Sequence, residues 1–159
     1  MKTYLWMGIA GGIAGVIILL VQFAYTSSEQ AIRINDPWVR EAPPNAMASA
    51  AYMIIENLSS QPKILTSATS EAFKRIEIHQ TVNHNGMMKM QPQPQLPIAA
   101  NDKVTLKPGG YHLMLLDSQK PLRAGDKVNL LLKFADGDEI TITAEVRKFT
   151  PPQMNHDNH

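Results

Sequence analysis

Between residues 32 and 146 apolar and polar side chains alternate with a period near two, and almost no segment there has a helical period. The clearest stretch is "EITITAEV" (139–146), where Ile140, Ile142, Ala144 and Val146 alternate with Thr141, Thr143 and Glu145, as a strand with one buried face requires. The same reading predicts strands in "IRINDPWVR" (32–40), "SAAYMIIEN" (49–57), "PKILTSAT" (62–69), "FKRIEIHQTV" (73–82), "MMKMQP" (87–92), "DKVTLKPGG" (102–110), "YHLMLLD" (111–117) and "KVNLLLKF" (127–134). Proline, glycine, asparagine and aspartate punctuate these runs, as in "EAPPNA", "KPLRAGD" and "ADGD". Trp38, Tyr52 and Ile54 are expected in the core. "NHNG" (83–86) supplies an Asn-Gly turn, which predicts a hairpin with His79 on one arm and Met90 on the other. The whole pattern predicts an all-β domain, a Greek-key sandwich or small barrel.

Both ends depart from this pattern. Residues 3–25, "TYLWMGIAGGIAGVIILLVQFAY", carry no charge and as a helix would extend roughly 34 Å, enough to span a bilayer. No small-residue cleavage pattern follows, which favours an uncleaved anchor over a removed signal segment. Lys2 is the one charged side chain before Glu29; the positive-inside tendency then places the following domain outside the cytoplasm. The ending "TPPQMNHDNH" has no apolar repeat and reads as a mobile tail. The expected division is an anchor or signal segment over 1–26, a β domain over 27–150 and a His- and Met-containing tail over 151–159.

Composition narrows the function. Once Lys2 is set aside, basic and acidic side chains are equal in number, 14 of each; nucleic acid is therefore not an expected partner. Cysteine is absent, which removes disulfides, thiolate ligands and the cysteine that a blue-copper site needs. No serine has evident histidine and acid partners, so no enzyme is expected.

What chemistry remains lies in His79, Met90, His112 and Met114. On an extended strand His112 and Met114 point to one face, and Gly109 and Gly110 just before them permit a tight turn. The hairpin brings Met90 back toward His79. Two imidazoles and two thioethers form a soft, uncharged donor set suited to copper(I), whereas zinc, magnesium and calcium prefer other ligands. Taken singly these residues have plainer readings: Met114 as core in the apolar run "LMLL", His79 as a strand-end histidine, Met90 as gap filler. His84, Met87 and Met88 lie near the turn and are secondary candidates. Met47 and Met53 are expected in the core or at its rim. In the tail, Met154, His156 and His159 form a candidate second site, where the imidazoles suit copper(II).

The spacing His79, ten residues, Met90, twenty-one residues, His112, one residue, Met114 resembles the signature of the PCu(A)C family of periplasmic copper chaperones. "DPWVR", "AAYMIIEN", "IEIHQ", "MMKMQP", "KPGGYHLMLL" and "PLRAGDKVNLLLKF" resemble that family's segments in the same order, over about residues 32–146. The resemblance implies a cupredoxin-like fold that binds one copper(I) and delivers it to the copper-accepting subunit of a terminal cytochrome oxidase, or to another copper chaperone. It implies a location on the periplasmic side of the cytoplasmic membrane, or soluble in the periplasm if the leading segment is removed. Gln80 stands where many members carry methionine, and many members are cleaved, soluble proteins. The competing class is an anchored, non-catalytic β-sandwich serving as an assembly or structural factor, its histidines and methionines incidental.

Overall fold

The computed structural model describes residues 31–149 except 44, 45 and 47. The expected anchor over 1–26, the tail with Met154, His156 and His159, and Met47 lie outside the described residues. Among the described residues there is no helix, and so none long and apolar enough to cross a membrane.

Ten strands follow one another: β1 (Ile32–Arg40), β2 (Ala48–Asn57), β3 (Lys63–Thr69), β4 (Phe73–His84), β5 (Met87–Pro92), β6 (Leu96–Ile98), β7 (Lys103–Leu106), β8 (Tyr111–Ser118), β9 (Lys127–Phe134) and β10 (Glu139–Arg147). They are joined in one continuous sheet, in the order β5-β4-β8-β7-β2-β1-β10-β9-β3-β6, rather than in two separately bonded sheets. The sheet curls until β3 meets β4 and β6 meets β2. Ala51, Met53, Ile55, Leu65, Leu113, Leu115, Leu130 and Leu132 fill the interior, and the alternating residues of "EITITAEV" pack against it or within it as the pattern predicts.

Two irregularities set the phase of the strands that matter most. Along β1 the pairing with β2 slips between Asn35 and Trp38, and Asp36 takes a left-handed φ of 45°. Ile34 and Val39 both serve the core although five residues apart, a spacing that an unbroken strand would place on opposite faces. The bulge turns Trp38 outward, where its ring lies 4.5 Å from that of Tyr52. Trp38, expected in the core, is therefore only partly buried; Ile54, also expected there, is partly buried because Met53 and Ile55 take the interior face of β2.

The second irregularity interrupts a strand. β7 and β8 both pair antiparallel with β2, β7 opposite residues 53–56 and β8 opposite 48–51, so they run end to end along it. Residues 107–110 bulge out between them, with Gly109 at φ 77°, a conformation glycine adopts without strain. Beyond this bulge β8 resumes with Leu113 in the core, opposite Ile78 on β4 and Ala51 on β2. His112 and Met114 consequently face away from the core.

Leu113 is fully buried between them. Replacing it by alanine is expected to cost about 2–5 kcal/mol of unfolding free energy in a denaturant titration. A loss well under 1 kcal/mol would contradict this assignment of faces.

Candidate metal centre

The antiparallel register of β4 and β8 sets His79 directly opposite His112, and Glu77 opposite Met114. The imidazole centres are 5.8 Å apart. Metal–imidazole bonds run about 2.0–2.1 Å, so rings at this separation can both touch one ion held between them. Across β8 the neighbour of Met114 is Ala50, whose small side chain leaves room above the sheet. Tyr52 stands beside His112 at 6.4 Å between rings. Burial pushes its phenol pKa up, an effect that the Arg40 cation partly offsets, so Tyr52 lines the site as a neutral wall.

The Asn-Gly turn forms as the sequence predicts: Asn85 and Gly86 both have positive φ, as a two-residue hairpin turn requires, and the Asn83 side chain accepts from the Gly86 amide at 2.9 Å. This fixes the β4–β5 register. Met90 pairs with Thr81 and Pro92 with His79, so Met90 shares the outward face, one diagonal step from His79. A cleft of about 500 Å³ on that face is lined by Met90, His112 and Met114, with Arg40, Tyr52, Thr81, Met88 and Phe149 among their neighbours. His79 flanks this cleft through His112. Three of the sequence-predicted ligands thus share one cleft, and the fourth stands against it.

Hydrogen bonding supplies the sharpest observation. The buried polar residues among those described are Asn57 and His112. Asn57 is satisfied: its amide nitrogen donates to the Gln61 and Ala99 carbonyls at 2.7 and 3.0 Å, and its oxygen accepts from the Ser59 amide at 3.0 Å. His112 is half satisfied. Its Nδ1 lies 3.0 Å from the Gly110 carbonyl, which can only accept, so Nδ1 carries the proton and Nε2 presents a lone pair. In the same way His79 Nε2 lies 2.8 Å from the Glu77 carboxylate, which leaves Nδ1 as the lone pair of the neutral ring. Both lone-pair nitrogens, His79 Nδ1 and His112 Nε2, are buried without a partner. A buried acceptor with no donor is costly, and two on facing strands, each in a ring oriented through its other nitrogen, are what metal-binding histidines present. Arg75 Nε, at 2.9 Å, holds the Glu77 carboxylate as well.

No cluster of three or more His, Cys, Asp or Glu side chains able to hold a metal occurs among the described residues. The thioethers of Met90 and Met114 line the cleft beside His112, and thioether sulfur is a donor that favours a soft monovalent ion. Sequence reasoning missed Glu77 and the Gly110 carbonyl. Glu77 was accessible to it, standing two residues before His79 on the same face of a strand; the carbonyl was not, because the bulge at 107–110 creates its position.

The LpqE-like family model matches residues 32–146. The chain belongs to the LpqE-like family, the family of PCuAC copper-binding domains. Its relatives include "Putative lipoprotein Lxx21020" of Leifsonia xyli subsp. xyli, 32% identical over 91% of this chain and 88% of that protein. A second relative is the uncharacterized protein RP573 of Rickettsia prowazekii, 30% identical over 78% of this chain and 71% of that one. Among solved structures, the copper-bound PCuAC domain from PmoF2 superposes with a TM-score of 0.65 at 25% identity, covering 75% of this chain and 94% of its own. The copper(I) form of DR1885 from Deinococcus radiodurans gives 0.62 at 32% identity, with 78% and 85% covered. The PCuAC assignment thus rests on sequence and on fold alike.

Burial, and secondarily the nearby His79, holds the His112 pKa below the ordinary histidine value, while the Gly110 carbonyl opposes the shift. A depressed histidine pKa contributes stability above the unfolded value of about 6.5 that is lost as pH falls toward the folded value. The metal-free protein should therefore lose unfolding free energy below pH 6.5, with a slope from this residue of up to about 1.4 kcal/mol per pH unit. In His112→Gln that component should vanish from denaturant titrations across pH; an unchanged slope would refute the assignment.

Proposed function

We propose that this protein is an extracytoplasmic copper chaperone that binds one copper(I) through His79, Met90, His112 and Met114. The observation that carries this reading is the pair of buried, unpartnered imidazole nitrogens on β4 and β8, beside a cleft that two methionines line. Copper(I) is soft, and a neutral set of two imidazoles and two thioethers suits it better than it suits zinc. Both PCuAC structures described above are copper-bound by their names, which supports the same cargo here.

In this reading the ion is substrate rather than resident cofactor. His79 and His112 form the fixed part of the site, their rings held by Glu77 and the Gly110 carbonyl. Met90, 59% exposed on the edge strand β5, is the movable part: a long thioether chain can follow the ion outward without shifting the backbone. No catalytic step is involved. The acceptor we infer is the copper centre of a respiratory oxidase subunit, or a second chaperone that serves it.

Placement outside the cytoplasm accords with the lipoprotein name of the Leifsonia relative. This sequence has no cysteine to carry a lipid, so we assign anchoring to residues 3–25. The tail, through Met154, His156 and His159, is proposed to take a second copper as copper(II).

Copper(I) titration of the full chain against a competing chelator under reducing conditions tests the binding. His112→Ala and Met114→Ala should each weaken affinity by at least about tenfold, given that even outer-shell changes commonly cost 10- to 100-fold. Equal affinity in all three proteins would sink the site, and no copper(I) binding at all would return the chain to a metal-free assembly or structural factor. Affinity should also fall in acid, where protons compete for the imidazoles and not for the thioethers.

A further inference from the structure

The large hydrophobic side chains exposed on this protein are not scattered. Of the four among the described residues, Met87, Met88 and Met90 sit on β5, each about 60% exposed, and only Leu58 lies elsewhere. β5 is an edge strand, exposed along its whole length. A group of exposed apolar residues on a free sheet edge is an association hazard that folds ordinarily avoid, so its concentration here calls for a function. The register separates the three. Met88 pairs with Asn83 and Met90 with Thr81, which puts both on the face of His79 and His112, whereas Met87 pairs with His84 on the opposite face. Met88 and Met90 also line the same cleft as His112 and Met114.

Resting on the copper(I) reading above, we infer that Met88 is a transfer ligand: the outermost thioether through which the ion enters and leaves, and not a member of the resting set. Along β5 two residues span about 7 Å, a gap that two flexible methionine side chains can close together. Met88 and Met90 then form a line of sulfur from the solvent end of the hairpin to the buried histidines. On the way out a copper–sulfur bond to Met88 forms as a copper–nitrogen bond to a histidine breaks, with Met90 ligating throughout. The ion remains monovalent, thioethers do not titrate, and no electron or proton moves. Such exchange avoids a bare ion in water, and it lets a buried site load and unload without opening the β4–β8 pairing.

The test separates rate from affinity. Met88→Leu keeps volume and hydrophobicity and removes the sulfur; at an exposed position it leaves the fold intact. In the copper(I)-loaded full chain, Met88→Leu should hold copper within about threefold of wild type at equilibrium yet release it to a competing chelator about tenfold more slowly in stopped flow. Met87→Leu, on the other face of the same strand, should match wild type in both affinity and release rate. Wild-type release rates in Met88→Leu would overturn the proposal, as would equal slowing by Met87→Leu. An affinity loss in Met88→Leu as large as that of His112→Ala would overturn it too, by making Met88 a resident ligand. Failure of the wild-type protein to bind copper(I) would instead remove the site itself, and with it this path.

Discussion

The pairing of β4 with β8 is the constraint on which the site depends. It sets His79 opposite His112, and because the strands alternate, the contact that brings the rings together on one face locks Ile78 and Leu113 into the core on the other. A slip of one residue would expose the leucine and bury the wrong partners. The stability of the fold and the position of the candidate ligands are thus one register, enforced by Ile78 and Leu113, which face the core on the opposite side of the strands. The bulge at residues 107–110 completes it: the same Gly110 carbonyl that accepts from the Thr81 amide, tying the bulge to β4, also fixes the His112 tautomer.

In the proposed function this arrangement divides holding from exchanging. His112 is buried and His79 partly so, and both are oriented and unable to leave without disturbing two strands. The methionines grade from partly buried Met114 to exposed Met90 and Met88. No carboxylate stands among the proposed donors, which keeps hard divalent ions from an advantage. Glu77 instead orients the His79 ring through its hydrogen bond to Nε2.

Much of this was legible in the sequence. Period-two alternation located the strands because each buries one face, and the Asn-Gly pair located the β4–β5 hairpin because few residues accept its positive φ angles. The four candidate ligands followed from softness and spacing. What could not be read was the face on which they gather. Trp38 looked like core because alternation was counted through Asp36 and Pro37 as if unbroken; the bulge there resets the phase, a tertiary effect of satisfying Ile34 and Val39 together, whereas Ile54 yields the interior to Met53 and Ile55 on its own strand. The continuity of the sheet was hidden too, since β7 and β8 read as separate strands but share one path along β2, and only that shared path explains the two glycines before His112.

In the proposed site two imidazoles and two thioethers share one copper(I). X-ray absorption at the copper edge of the protein loaded with one equivalent under reducing conditions tests it most directly. The expected result is a first shell of mixed nitrogen and sulfur, with the sulfur contribution reduced in Met114→Leu. A shell of nitrogen and oxygen alone, or one unchanged by Met114→Leu, would contradict it.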